Sequence, residues 1–409
     1  MKRITWLLLS LLLLVACSNE TGSTGTQKEK DSPKTTATTA PEPEIYSAKL
    51  TAVGDLMVHD HQIENAYDNK TDSYNFDYSF EQVKGYLSKA DYTIGNLETT
   101  LAGEEAKYTG YPMFNSPDTF GQAIKNAGFD LLSTANNHSY DRYETGIYKT
   151  IDVLDQIGLD HVGTYKTQEA QNTVFIKEVN NIKFAFVSFT YGTNGIPVPQ
   201  GKEYTVNLLS EEMIKQEIAK AKTLDPDVII ALPHMGNEYE LKKNDTFVKW
   251  ADLMFEAGAD IVLANHPHVV QPVEFKYVQD ENGEERKVFV AYSLGNFISS
   301  QRPEPREAGV MLHLYFNKLE GEGTELTNVT YTPTWVQFEK ASGEKYIRTL
   351  PVYDILQDAE AGGNKFELTN QDLERVKRVH QELSQQIINE SLPLTNQQEE
   401  YVIHEQEEE

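Results

Sequence analysis

Cysteine is nearly absent: Cys17 is the only one in 409 residues. No intrachain disulfide, Cys-X-X-Cys redox pair or structural zinc knuckle can form, so the fold must rest on its hydrophobic core. Positive charge is scarce as well, with 36 Lys and Arg against 63 Asp and Glu and a formal net charge of −27. Nucleic-acid binding depends on neutralising phosphates with basic side chains, and this balance argues against it. An anionic substrate stays open, because a metal ion or a local cluster of arginines reverses the field inside one pocket. Apolar runs of membrane-spanning length are missing too. The N-terminal run from Trp6 to Ala16 would span roughly 16 Å as a helix against roughly 30 Å of hydrocarbon, too short to cross a bilayer.

That run reads instead as a secretory signal over residues 1–16, with a positive Met1-Lys2-Arg3 and an apolar Leu7 to Val15 interrupted only by Ser10. It ends in Leu14-Val15-Ala16-Cys17, which looks like a lipobox. Small residues fit a signal peptidase, and the thiol that follows accepts a diacylglycerol. The expectation is a chain anchored through lipidated Cys17 to the extracytoplasmic face of the membrane. Residues 17–47 are Thr, Ser, Pro, Lys and Glu with almost no large apolar side chain before Ile45. Such a segment cannot bury enough surface to offset the entropy of ordering, so it reads as a tether on the order of 30 Å in reach. A folded domain is expected over 48–355. A helical segment and an acidic tail ending in Glu405 to Glu409 are expected over 356–409.

Within the domain, apolar runs of strand length alternate with amphipathic stretches. Strands are expected at Lys49 to Val53, Tyr92 to Gly95, Leu131 to Thr134, Phe184 to Phe189, Val228 to Leu232, Ile261 to Ala264 and Val288 to Ser293. Helices are expected at Phe80 to Ala90, Thr119 to Ala127, Thr145 to Ile157, Glu211 to Lys222 and Asp245 to Ala257, and a meander from Met311 onward. The alternation predicts an α/β fold, whose polar sites collect at the carboxyl ends of strands.

Polar residues do collect there. Asp55 follows the first strand, Glu98 the second and Asn137-His138 the third, while His234 follows Val-Ile-Ile-Ala-Leu-Pro and His266 and His268 follow Val-Leu-Ala-Asn. Of ten histidines, these four lie directly after expected strands, whereas His161, His313, His380 and His404 lie in stretches without companion ligands. Mixed carboxylate, imidazole and amide donors suit Mn, Fe, Zn or Mg. One carboxylate can bridge two such ions about 3.5 to 4 Å apart, so the set predicts two divalent ions.

The stretches AVGDLMVH, GNLETTL, STANNHSYDRYETG, LPHMGNEY, ANHPHVVQPVE and YSLGNF stand in the order found in CapA-type domains and cover Ala48 to about Phe297. The chain resembles this poly-γ-glutamate capsule synthesis family, whose members resemble calcineurin-like phosphoesterases. The resemblance implies a four-layer α/β/β/α sandwich with loops converging on a metal centre. It implies Asp55, Glu98, Asn137, His234, His266 and His268 as metal ligands, with Glu98 bridging. His138 matches a histidine that protonates a leaving group or holds an oxyanion, and Asp141 is the candidate to orient it. Tyr191, Asn194, Glu238 and Asn296 resemble pocket residues, and Arg302 and Arg306 are the nearest cations for an anionic substrate.

Two positions depart from the phosphoesterase pattern. Met57 stands where a histidine is expected two residues after the aspartate, with His59 and His61 the nearest replacements. Glu98 stands where the bridge is generally Asp. The expected role is a metal-dependent hydrolase or transferase in assembly of an anionic polymer, working beside membrane-bound polymer synthase subunits. Two alternatives share the fold: a non-catalytic accessory lipoprotein that guides polymer or synthase, and a cell-wall phosphoesterase or peptide hydrolase.

Overall fold

The computed structural model describes residues 44–279, 283–321 and 323–405. The signal, Cys17 and the tether as far as residue 43 lie outside these residues. Among the described residues no helix is long and apolar enough to cross a membrane.

β1 (Ile45–Leu56) leads to α1 (Asp60–Ala66), a short hairpin of β2 (Tyr67–Asp68) and β3 (Ser73–Tyr74), and one turn of helix, α2 (Lys84–Leu87). Then come β4 (Tyr92–Leu97), α3 (Asp118–Ala127), β5 (Leu131–Ser133), α4 (Tyr143–Ile157), β6 (Asp160–Val162) and α5 (Gln168–Gln171). A second series runs β7 (Phe175–Val179), β8 (Ile182–Thr190), α6 (Glu211–Lys222), β9 (Val228–His234), α7 (Asp245–Ala257), β10 (Ile261–Leu263), β11 (Val273–Gln279) and β12 (Glu285–Ala291). β13 (Asn296–Ile298) is followed by β14 (Ala308–Leu319), β15 (Gly323–Glu339) and β16 (Lys345–Pro351), then α8 (Val352–Glu360), α9 (Asn370–Ile388) and β17 (Tyr401–Val402).

These elements make a mixed α/β fold on two main sheets. The first runs β16-β15-β14-β1-β4-β5-β6, with β13 beside β1 and β17 beside β15. The second runs β11-β12-β10-β9-β8-β7. β1, β4, β5 and β6 are mutually parallel, as are β8, β9, β10 and β12. Their carboxyl ends therefore gather on one edge of each sheet.

Side-chain alternation decides which face each residue serves. Phe184 and Phe186 of β8, Ile230 and Leu232 of β9, and Ile261 and Leu263 of β10 join Leu50, Ile94 and Leu131 of the first sheet in one core. Their neighbours Ala185, Val187, Ile229, Ala231 and Val262 turn the other way, onto Ile214 and Ile218 of α6 and Met254 and Phe255 of α7. On the first sheet, Leu97 and Leu132 meet Phe120 and Ile124 of α3 and Leu154 of α4. Each large apolar side chain so buried contributes about 1.5–3 kcal/mol, which is how a chain without disulfides holds two sheets together.

Three boundaries differ from the sequence reading. β1 starts at Ile45, inside the expected tether, because Ile45, Tyr46 and Ser47 already pair with Leu319, Lys318 and Asn317 of β14. The helix expected over Phe80 to Ala90 shrinks to the single turn α2. Gly85 weakens helix propensity there, and irregular turns suffice to bury Phe80, Val83 and Leu87. The expected boundary at 355 falls inside α8, and Val376, Val379 and Leu383 of α9 belong to the inter-sheet core.

Candidate metal centre

Backbone geometry delivers the ligands. Gly54 lies so close to Gly295 that a Cβ would stand 1.8 Å from the Gly295 carbonyl oxygen. Only glycine permits this approach, and it lets the Asp55 N–H donate to the same carbonyl at 2.9 Å. Asp55 is thereby seated between Asn296 of β13 and Asn96 of β4. Asn96 and Glu98, two residues apart on extended chain, share a face. Across the gap, His234 ends β9, and its neighbour in register is Thr190 of β8. His266 (φ 112°) and His268 (φ 58°) both adopt left-handed backbone, a costly conformation for non-glycine residues that concentrates at functional sites.

The six expected ligands converge. His234 Nε2 lies 2.7 Å from Asn137 Oδ1 and 3.5 Å from Glu98 Oε1. His268 Nε2 lies 3.7 Å from the same Glu98 oxygen, and its Nδ1 lies 3.0 Å from Asp55 Oδ2. The His234 and His266 ring centroids are 4.8 Å apart. Two groups, Glu98 with His234 and His266, and Asp55 with Glu98 and His268, each bring one donor atom per residue within 4.8 Å of the others. Glu98 is common to both, which is the arrangement a bridging carboxylate requires. Beside them His138 Nδ1 sits 2.6 Å from Asp141 Oδ2, an oxygen that also accepts the Phe114 N–H at 2.6 Å. The edge-on Phe114 ring, 4.6 Å from the His138 centroid, packs against this pair.

Electrostatics fit a divalent cation. Glu98 is fully buried and neither of its oxygens has a hydrogen-bond partner; His266 Nδ1 is also buried and unpartnered. Burial, then the charge of Asp55, hold the Glu98 carboxyl well above its usual range. Burial holds His234 well below its usual value and His266 at about 2, helped in each case by neighbouring imidazoles. Neutral imidazoles are ready ligands, and a cation is what an isolated buried carboxylate lacks.

The pocket residues divide. The Tyr191 ring lies tilted against that of His266, 4.7 Å between centroids, and Asn194 Oδ1 accepts from the Asn137 amide at 3.2 Å while its own amide nitrogen lies 3.4 Å from His138 Nδ1. Asn296 Oδ1 is 3.2 Å from His268 Nδ1. Glu238 stands with His266 and His268 in a third group of possible ligands. Arg306 lays its guanidinium 3.4 Å from the centroid of Tyr239, whose ring lies 6.0 Å from that of His268. Arg302 is engaged elsewhere: it donates to the carbonyls of Gln301 (2.6 Å) and Val336 (3.2 Å) and covers Phe338, and burial lowers its pKa. Of the two replacements for the histidine missing at Met57, His61 is turned to Glu64 and Phe338. His59 is packed edge-on to Phe114, and burial lowers it to about 4.

Sequence reasoning missed two asparagines. Asn96 Nδ2 donates to Asp55 Oδ1 at 2.8 Å and lies 3.3 Å from His234 Nδ1, tying the two sheets' ligands together. Asn136 donates to the Leu97 carbonyl at 2.7 Å and accepts the His138 N–H at 3.1 Å. The two-residue spacing of Asn96 and Glu98 was the available signal.

Residues 49–301 match the model of the family described as bacterial capsule synthesis protein PGA_cap. The capsule biosynthesis protein CapA of Bacillus anthracis is 30% identical over 62% of this chain and 60% of its own length. The PGA biosynthesis protein CapA of Bacillus subtilis is 29% identical over 63% of this chain and 64% of its own. The chain thus spans less than two thirds of either relative. Among solved structures, the calcineurin-like phosphoesterase YfkN of Bacillus subtilis aligns at 15% identity and a TM-score of 0.37, covering 71% of this chain and 91% of that one.

Proposed function

Because the chain belongs to the bacterial capsule synthesis family PGA_cap, we propose that it is a metal-dependent hydrolase or transferase acting in extracytoplasmic assembly of poly-γ-glutamate capsule. The observation that carries this reading is Glu98, fully buried and unpartnered between His234 and His268. Asp55, Glu98, Asn137, His234, His266 and His268 would hold the metal, two ions sharing Glu98. Bound there, a divalent ion supplies Lewis-acid polarisation and a water of lowered pKa.

The chain's own residues do the remainder. Asp141 occupies His138 Nδ1, so Nε2 is the nitrogen left to hold or deliver a proton at a leaving group. Asn194 accepts from the Asn137 amide and packs beside His138, which holds Asn137 in place next to it. Arg306 is held over Tyr239, whose ring neighbours His268, and is the candidate cation for an anionic substrate. The net charge of −27 confines contact with a polyanion to this region.

The anchor is part of the same reading. Lipidated Cys17 would keep the domain at the outer face of the membrane, beside membrane-bound synthase subunits. Cys17→Ala should leave the protein unprocessed or released to the medium, and processed protein that stays on the membrane would rule this out.

The reaction is tested by metal analysis of the purified chain, then by turnover against phosphoesters and γ-glutamyl peptides. Metal-dependent turnover of either class is expected and names the scissile bond. Fully loaded protein that turns over neither would leave the accessory role, in which the site binds polymer without cleaving it.

A further inference from the structure

Resting on the metal-centre reading above, we infer that Glu238 is a metal ligand, closing the ion held by His268 from the loop after β9. The need for such a ligand is visible in the two groups of donors. An ion at Glu98, His234 and His266 would have the Asn137 side-chain amide oxygen beside it, 2.7 Å from His234 Nε2. An ion at Asp55, Glu98 and His268 would be worse served. Both Asp55 oxygens already accept contacts, Oδ1 from the Asn96 amide at 2.8 Å and Oδ2 from His268 Nδ1 at 3.0 Å. The next candidate, Met57, is buried and offers a thioether, a soft donor unsuited to the hard ions this oxygen- and nitrogen-rich set selects.

Glu238 meets the need. A donor atom of its carboxylate lies within 4.8 Å of donor atoms of both His266 and His268. It is exposed whereas they are buried, so it stands at the outer side of the centre. His266 Nδ1 and both Glu98 oxygens, all buried and unpartnered, leave the interior short of a positive charge that Glu238 can help to hold.

The loop that carries Glu238 is built against the histidines. Gly236 (φ 140°) has Pro267 so close that a Cβ would stand 2.6 Å from its ring. Tyr239 (φ 67°) donates its N–H to the Pro267 carbonyl at 2.8 Å, and its side chain is clamped between His268 and Arg306. Both flanks of Glu238 are thus pinned to the residue between the two histidines. Strained backbone at Tyr239, His266 and His268 together marks a loop pair shaped for a ligand rather than for stability.

The test is Mn²⁺ titration of the full chain by calorimetry, with bound metal counted by elemental analysis. Wild type should bind two ions. Glu238→Gln should weaken one of them about 10- to 100-fold, the usual cost of losing a metal-site group, and leave the other unchanged. Glu238→Asp should recover part of the loss, and Glu240→Gln, on the same loop, should recapitulate wild type. The melting temperature in chelator should be the same for Glu238→Gln and wild type, which separates ligand loss from misfolding. Two ions of unchanged affinity in Glu238→Gln would overturn the assignment alone, and so would a wild type that binds one. A wild type that binds none would overturn the metal reading with it.

Discussion

His313 and His266 are both almost wholly buried, and each stands among carboxylates and other polar groups, yet their surroundings differ in kind. His313 is satisfied at both nitrogens: Nδ1 lies 2.8 Å from Thr51 Oγ1 and Nε2 lies 3.1 Å from Thr332 Oγ1. The nearby Glu400 carboxylate takes the Lys49 ammonium at 2.7 Å, the Tyr315 hydroxyl at 2.7 Å and the Thr330 hydroxyl at 2.9 Å. Around His266 the polar groups are left short, with neither Glu98 oxygen hydrogen-bonded. Keeping a buried carboxylate ionised without a partner costs several kcal/mol, so Glu98 holds its proton unless a cation completes it. Neither burial nor one unpartnered nitrogen therefore identifies a candidate ligand histidine, since His380 Nε2 is buried and unpartnered too; what sets His266 apart is an unpartnered carboxylate, Glu98, within reach.

The sharpest way to break this contrast is to remove a ligand on the deficient side. His234→Ala or Glu98→Ala should lower metal affinity by about 10- to 100-fold, whereas His313→Ala should leave metal content unchanged, both read by elemental analysis of dialysed protein. Full occupancy in both ligand variants would sink the metal centre. Metal itself should act in the same direction on stability. At a free concentration one hundred times the dissociation constant it stabilises the native state by about 2.7 kcal/mol, so chelation should lower the melting temperature of wild type by more than that of Glu98→Ala.

His313→Ala sharpens the comparison from the other side. Removing one partner of a satisfied buried network leaves the Thr51 hydroxyl unpaired, at about 1–3 kcal/mol, while Thr332 keeps its bond to the Glu399 carbonyl at 2.7 Å. The loss should appear equally with and without metal in urea titrations. A loss that vanishes in chelator would mean the two clusters are coupled.

How much of this contrast is legible in sequence follows from where the partners come from. Asp55, Glu98, Asn137, His234, His266 and His268 could be read because each ends an apolar strand, and parallel strands bring their carboxyl ends together whatever the loops do. The α/β class was legible from the same alternation, whereas a second sheet was implied only by the family resemblance. The partners of His313 were not, since Thr51 lies 262 residues away and Glu400 enters from the chain's far end. Arg302 follows the Gly-Asn-Phe stretch as Arg306 does, and only the folded loop turns one to backbone carbonyls and the other to Tyr239. Asn96 was hidden inside a strand, where an amide reads as an interruption until the facing carboxylate is known.

The smallest effect separates the clusters by pH. Burial works against the charge of Glu400, but His313, Lys49 and Tyr315 outweigh it and pull the carboxyl from 4.5 down to about 2. Burial, then the charge of Lys49, lowers His313 from 6.5 to about 3. Both groups are depressed by folding, so each contributes stability that is intact above its unfolded value and lost as pH falls through its folded one. For His313 the loss begins below about 6.5 and for Glu400 below about 4.5, as these groups take up protons. Glu400 joins the C-terminal segment to β1 and β14 through Lys49 and Tyr315, so acid should loosen that segment first. The protection factors of Tyr401 and Val402, which pair with β15, should fall between pH 6 and pH 3.5 once the intrinsic slowing of amide exchange in acid is divided out. In Glu400→Gln the protection should already be lower at pH 7 and its further fall below pH 4.5 should flatten, leaving the part that belongs to His313. An unchanged pH profile in Glu400→Gln would mean that the carboxylate is not what holds the segment.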